Sequence, residues 1–93
     1  MEKNKITKEK IEKYYNLTSK ALKIAKESIA KNKQKQAKEI FIMVQCYLDD
    51  AKHFKEKKDF VNAFAAVNYA HGWLDAGARL KVFDVSDNSL FTV

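Results

Sequence analysis

Apolar residues recur along this chain at spacings of three and four, in three blocks separated by short polar stretches. In the first block Ile11, Tyr14, Tyr15, Thr18, Ala21, Leu22, Ala25 and Ile29 form a stripe with the period of an amphipathic helix, and Leu17 and Ile24 widen it. Thr7 is a credible N-cap, and Ile6 with Ile11 has the spacing of a hydrophobic staple. The pattern predicts a helix over about 8–30, about 35 Å long. The polar run Lys31 to Gln36 breaks the stripe, with Asn32 placed to cap a second helix over about 33–57. Ala37, Ile40, Phe41, Val44, Tyr47, Leu48, Ala51 and Phe54 form that helix's inward arc, while Ile42 and Cys46 fall on the opposite side. The IFIMV turn is therefore apolar all round. Its alternative reading as a buried strand fails on the length of the flanking helical period.

The third block, Asp59 to Leu80, predicts a helix over about 60–80 with Asp59 as N-cap. Phe60, Phe64, Val67, His71, Leu74 and Ala78 share one face, and Ala63, Ala66, Ala70 and Gly77 lie beside them as a groove of small residues. A groove of this kind lets a neighbouring helix approach closely. The link before Asp59 is short, so the second and third helices should be antiparallel neighbours. The expected fold is all-α: an antiparallel up-down-up three-helix bundle in one domain, followed by a short irregular tail over 81–93. Val82 and Phe83 are placed to close the core, whereas Leu90, Phe91 and Val93 could dock, fray or meet a partner.

Composition narrows the class. At 93 residues, 46% hydrophobic and 32% charged, the chain suits one modest core. It has no Pro and two Gly, which favours long helices. The single cysteine excludes an internal disulfide and fits a reducing cytoplasm. No apolar run is long enough for a membrane span. Charge is unevenly placed: residues 1–38 hold twelve Lys against four Glu, net +8, and residues 39–93 hold six basic and eight acidic groups, net −2.

Three groups of residues could carry chemistry. On the third helix Asn68, His71, Asp75 and Arg79 fall on one ridge, and Asp50 and His53 of the second helix lie near the same level of an antiparallel pair. Together they could make a small polar pocket, or a metal site of His71 with Asp50 or Asp75. The structural alternative is a satisfied histidine held by Asp75. No HExxH, paired Glu-x-x-His or Cys cluster is present, so no metal or cofactor is expected.

The second group, Lys26, Lys31, Lys33 and Lys35, gathers around the first link. It could hold a phosphate group or RNA backbone, or serve only as a solvated face. The third group is Ile42, Met43, Cys46 and Trp73, apolar residues on or beyond the edge of the inward arcs. They would suit a homodimer or a protein partner. Gly72, a mid-helix glycine on the more polar side, would fit the close approach of another chain or ligand, or neutral drift. Cys46 has no adjacent activating base, and no catalytic motif or phosphate loop is present, so catalysis is not expected. The leading expectation is a non-catalytic interaction or self-association module; nonspecific RNA or phosphate-backbone binding comes second, and polar-pocket ligand or metal binding around His71 and Asp75 third.

The runs YLDDAKHF and KKDFVNAFAAVNYAHGWLDAGARL resemble the signature of the archaeal domain-of-unknown-function family numbered 357. The positions that carry the resemblance include Tyr47, Asp50, Ala51, Phe54, Asp59, Asn62, Tyr69, His71, Gly72, Asp75 and Gly77. It implies a compact three-helix bundle and carries no activity, cofactor or catalytic set onto any residue. Where such sequences often have Gly-Asp before the third helix, this chain has Lys58-Asp59.

Overall fold

A computed structural model describes residues 5–86 and 89–91. Three helices occur in order: α1, Lys8–Lys26; α2, Gln34–Glu56; and α3, Phe60–Arg79. Glu12 of α1 reaches Lys55 near the end of α2, at 3.4 Å, while Lys26 at the end of α1 lies over Phe41 near the start of α2. Tyr47 packs on Tyr69, and Ile40 lies beside Gly77. These contacts make α2 antiparallel to both other helices, giving the up-down-up bundle.

The inward arcs are those of the helical period. Ile11, Thr18, Ala21, Leu22 and Ala25 are buried on α1, and Ala37, Ile40, Val44, Leu48 and Ala51 on α2. All four small residues of the α3 groove, Ala63, Ala66, Ala70 and Gly77, are buried. Thr7 caps α1 by accepting from the Lys10 amide, and Asp59 caps α3 by accepting from the Asn62 amide. Ile6 packs with Ile11 in the same cluster, as a staple requires.

The chain differs from the helical pattern at the end of α1. The stripe predicts helix to residue 30, but α1 stops at Lys26. Ile29 instead forms an antiparallel bridge with Phe83: Ala30 N–H donates to the Val82 carbonyl at 2.9 Å, and Asp84 N–H to the Ser28 carbonyl at 2.7 Å. A pairing with residues more than fifty positions away thus overrides local propensity. Asn32 does not cap α2. It sits at φ 66° inside the turn closed by Lys33 N–H and the Ala30 carbonyl, a conformation Asn tolerates better than most residues. Lys33 occupies the N-cap position without a side-chain cap bond.

Both α2 and α3 end in the same way. Beyond α2, Lys58 adopts φ 61°, with Lys58 N–H bonded to the Lys55 carbonyl and Asp59 N–H to the Phe54 carbonyl. Beyond α3, Lys81 adopts φ 61°, with Lys81 N–H bonded to Ala78 and Val82 N–H to Gly77. This is the Schellman arrangement, with lysine twice where glycine is usual.

Phe83 is the largest fully buried side chain and stacks on Phe41, ring centroids 5.3 Å apart. It lies against the α-carbon of Gly77, where a Cβ would come within 2.3 Å of its ring. Leu90 and Phe91 are also buried, so the tail docks. Val93 lies outside the described residues.

Candidate functional site

The tail is held through His71. Its Nε2 lies 2.7 Å from the Leu90 carbonyl oxygen and its Nδ1 lies 2.9 Å from Thr18 Oγ1. A carbonyl can only accept, so Nε2 carries the proton; in the neutral ring Nδ1 then accepts from the Thr18 hydroxyl. Thr18 is 1% exposed, and His71 satisfies its hydroxyl. Asp75 Oδ1 lies 3.7 Å from Nε2, one turn further along α3. One imidazole therefore joins α1, α3 and the tail.

Around this node lies a half-open cavity of about 320 Å³ between α1, α3 and the tail, whose walls include Tyr14, Leu17, Asn68, His71, Gly72, Asp75 and Ser89. Three of the six residues expected to form a polar pocket are brought together: Asn68, His71 and Asp75. Asp50 and His53 are not. Both are exposed on α2, where Leu48 and Ala51 take the inward positions, and His53 rests edge-on against the Phe54 ring. α3 turns His71 towards Thr18 of α1; the flank facing α2 is that of Tyr69. Arg79 is exposed and joins no contact in this group among the described residues. The described residues contain no group of three or more His, Cys, Asp or Glu able to hold a metal ion. With both imidazole nitrogens engaged inside the chain, His71 is a clamp that positions the tail.

The lysine group flanks the link between α1 and α2. Lys26 lies over the Phe41 ring at 5.9 Å, Lys33 is half-buried at the α2 N-cap, and Lys31 and Lys35 are exposed.

The apolar surface is larger than the sequence reading anticipates. Ile42 is 49% exposed and Cys46 is an exposed free thiol, whereas Met43 is half-buried. Trp73 is 39% exposed. Three residues of α3 and its C-cap were missed altogether: Val61, Tyr69 and Leu80 are 68%, 62% and 72% exposed. With Ala65, Gly72, Trp73 and Ala76 they fall at helical spacings along one outward stripe. Its middle is a shallow trough of about 360 Å³ lined by Asn68, Tyr69, Gly72, Trp73 and Ala76. Among the described residues no side chain fills the space above Gly72, where a Cβ would meet nothing within 4 Å. The sequence did hold a signal: Val61, Ala65, Tyr69, Gly72, Ala76 and Leu80 form a second three-four pattern, offset from the first.

Compared with known proteins, residues 13–83 match the family described as "Protein of unknown function (DUF357)", most of the 93-residue chain. The chain belongs to that family. The match spans most of α1, all of α2 and α3 and the Phe83 seat of this DUF357 chain, and ends before Leu90 and Phe91. No curated protein and no solved structure matches it significantly. Among the described residues no helix is long and apolar enough to cross a membrane.

Proposed function

We propose that this DUF357 chain is a non-catalytic docking module, a small bundle that presents the outward stripe of α3 to another protein. The observation that carries the reading is that α3 carries large apolar side chains, Val61, Tyr69, Trp73 and Leu80, outside its buried face and beside its polar ridge. Val61, Tyr69, Trp73 and Leu80 stand open to solvent on one flank, with a trough between them. Aromatic anchors such as Tyr69 and Trp73 are what protein interfaces favour. The cytoplasm is the proposed setting, supported by an exposed Cys46 that is a free thiol.

A photo-crosslinking side chain at Tyr69 tests this in intact cells, with the same probe at exposed Lys20 of α1 as control. Discrete protein adducts from position 69 and none from position 20 are expected. Equal yields from both positions, or none from either, would overturn the reading.

A second reading, contact with phosphate groups such as an RNA backbone, has one observation in its favour. α2 starts without a side-chain cap or an acidic residue in its first turn, beside Lys31, Lys33 and Lys35. Charge reversal of these three lysines with Lys26 would abolish salt-sensitive RNA binding if it occurs there. Unchanged binding would exclude the patch.

A further inference from the structure

The docking stripe can be read further, on the premise that it is a docking surface: we infer that its occupant is a second copy of this chain, packed antiparallel along α3. The stripe is self-complementary. A two-fold axis passing between residues 70 and 71 would set Tyr69 of one copy over Gly72 of the other, where nothing stands within 4 Å of a Cβ. The same axis sets Val61 against Leu80 and Ala65 against Ala76, and it brings the Trp73 indole N–H near the Asn68 side-chain amide. Large residues meet small ones at the centre, and apolar residues meet each other at the ends. The open space over Gly72 thereby receives a side chain that the monomer does not supply. Antiparallel helix dipoles also oppose one another favourably.

Charge favours the same face. Each copy carries +6, so two copies approach only through a surface where their positive fields are weak. Arg79, which this register sets opposite Asn62 of the other copy, is the charged side chain on the exposed side of α3, and residues 39–93, which contain α3 and most of α2, have a net charge of −2. The lysine-rich residues 1–38, net +8, belong to α1 and the first link. Pairing through α3 leaves α1 of each copy outside the contact.

The exposed apolar area is modest. With about 150–250 Å² per aromatic side chain and somewhat less for Val and Leu, the exposed parts of the four large residues offer roughly 450 Å² per copy. A standard interface takes about 800 Å² per partner, and the small residues and trough walls supply part of the remainder. The expected dimer is consequently of micromolar rather than nanomolar strength.

Sedimentation equilibrium on the full chain between about 5 and about 500 µM should show a monomer–dimer equilibrium. Tyr69→Lys should weaken it at least about tenfold, and added salt should leave it unchanged or tighten it, because like charges are screened. The register is read separately, in a Cys46→Ser background. Chains carrying Ala65→Cys mixed with chains carrying Ala76→Cys should form disulfide dimers faster than either alone. A chain that stays monomeric to the highest concentration overturns self-pairing, as does cross-linking no faster in the mixture than in the single variants. Position-69 photo-adducts larger than two chains would then leave the docking reading standing with a different partner, whereas no adducts would end both.

Discussion

The two glycines of α3 stand five residues apart on one helix and have opposite surroundings. Gly77 is buried beneath Phe83, so close that a methyl group would collide with the ring. Gly72 faces open space. Each lies at the middle of an apolar surface, but the bundle covers only the surface around Gly77. A glycine inside a helix costs about 1 kcal/mol relative to alanine. At Gly77 the seating of the largest buried side chain offsets that cost. Among the described residues nothing offsets it at Gly72, which supports the proposed docking surface.

Substitutions on the two surfaces put this contrast to the test. The largest effect is expected for Phe83→Ala, which empties the seat over Gly77 and removes the stack with Phe41; about 3–5 kcal/mol should be lost in urea unfolding. A loss below about 1 kcal/mol would mean that the inward surface does not depend on that ring. His71→Ala comes next, at about 2–3 kcal/mol, because it strands the buried Thr18 hydroxyl and frees the Leu90 carbonyl. Hydrogen exchange should quicken at residues 89–91 in the same variant; unchanged exchange there would show that the tail docks without the imidazole. Gly77→Ala should cost about 1–3 kcal/mol through overpacking against Phe83. Gly72→Ala, the smallest change, should instead raise stability by about 0.5–1 kcal/mol, read as a higher melting temperature. The same sign for both alanine variants would erase the difference between the surfaces.

The inward surface was legible in the sequence because a 3.6-residue period marks it, and Ile11, Val44, Leu48, Val67 and Leu74 are buried where the period places them. The end of α1 was not, since Ile29 fits the stripe but is drawn into a bridge with Phe83 that no local rule contains. Asn32 has the chemistry of both a cap and a turn residue, and the tertiary path of the link decided for the turn. Lys58 is a different case: its departure from Gly-Asp pointed to the turn before α3, and Lys58 holds the left-handed conformation that glycine adopts freely. Lys58→Gly is accordingly expected to add about 0.5–1 kcal/mol.

The candidate site was legible only in part. Spacing along one helix put Asn68, His71 and Asp75 together, but it could not show that His71 turns to α1 and the tail, away from Asp50 and His53. The outward stripe was obscured for another reason. On a helix as apolar as α3, two overlapping three-four patterns compete, and only packing decides which is covered.

The most direct test of the claim that this stripe contributes little to the fold is urea unfolding of the double variant Val61→Lys, Leu80→Lys, at its two most exposed positions, at a concentration where the chain is monomeric. A docking surface predicts a loss of less than about 1 kcal/mol with helical content retained. A loss above about 3 kcal/mol, or a collapse of the helices, would show that the stripe is part of the core and would contradict the account.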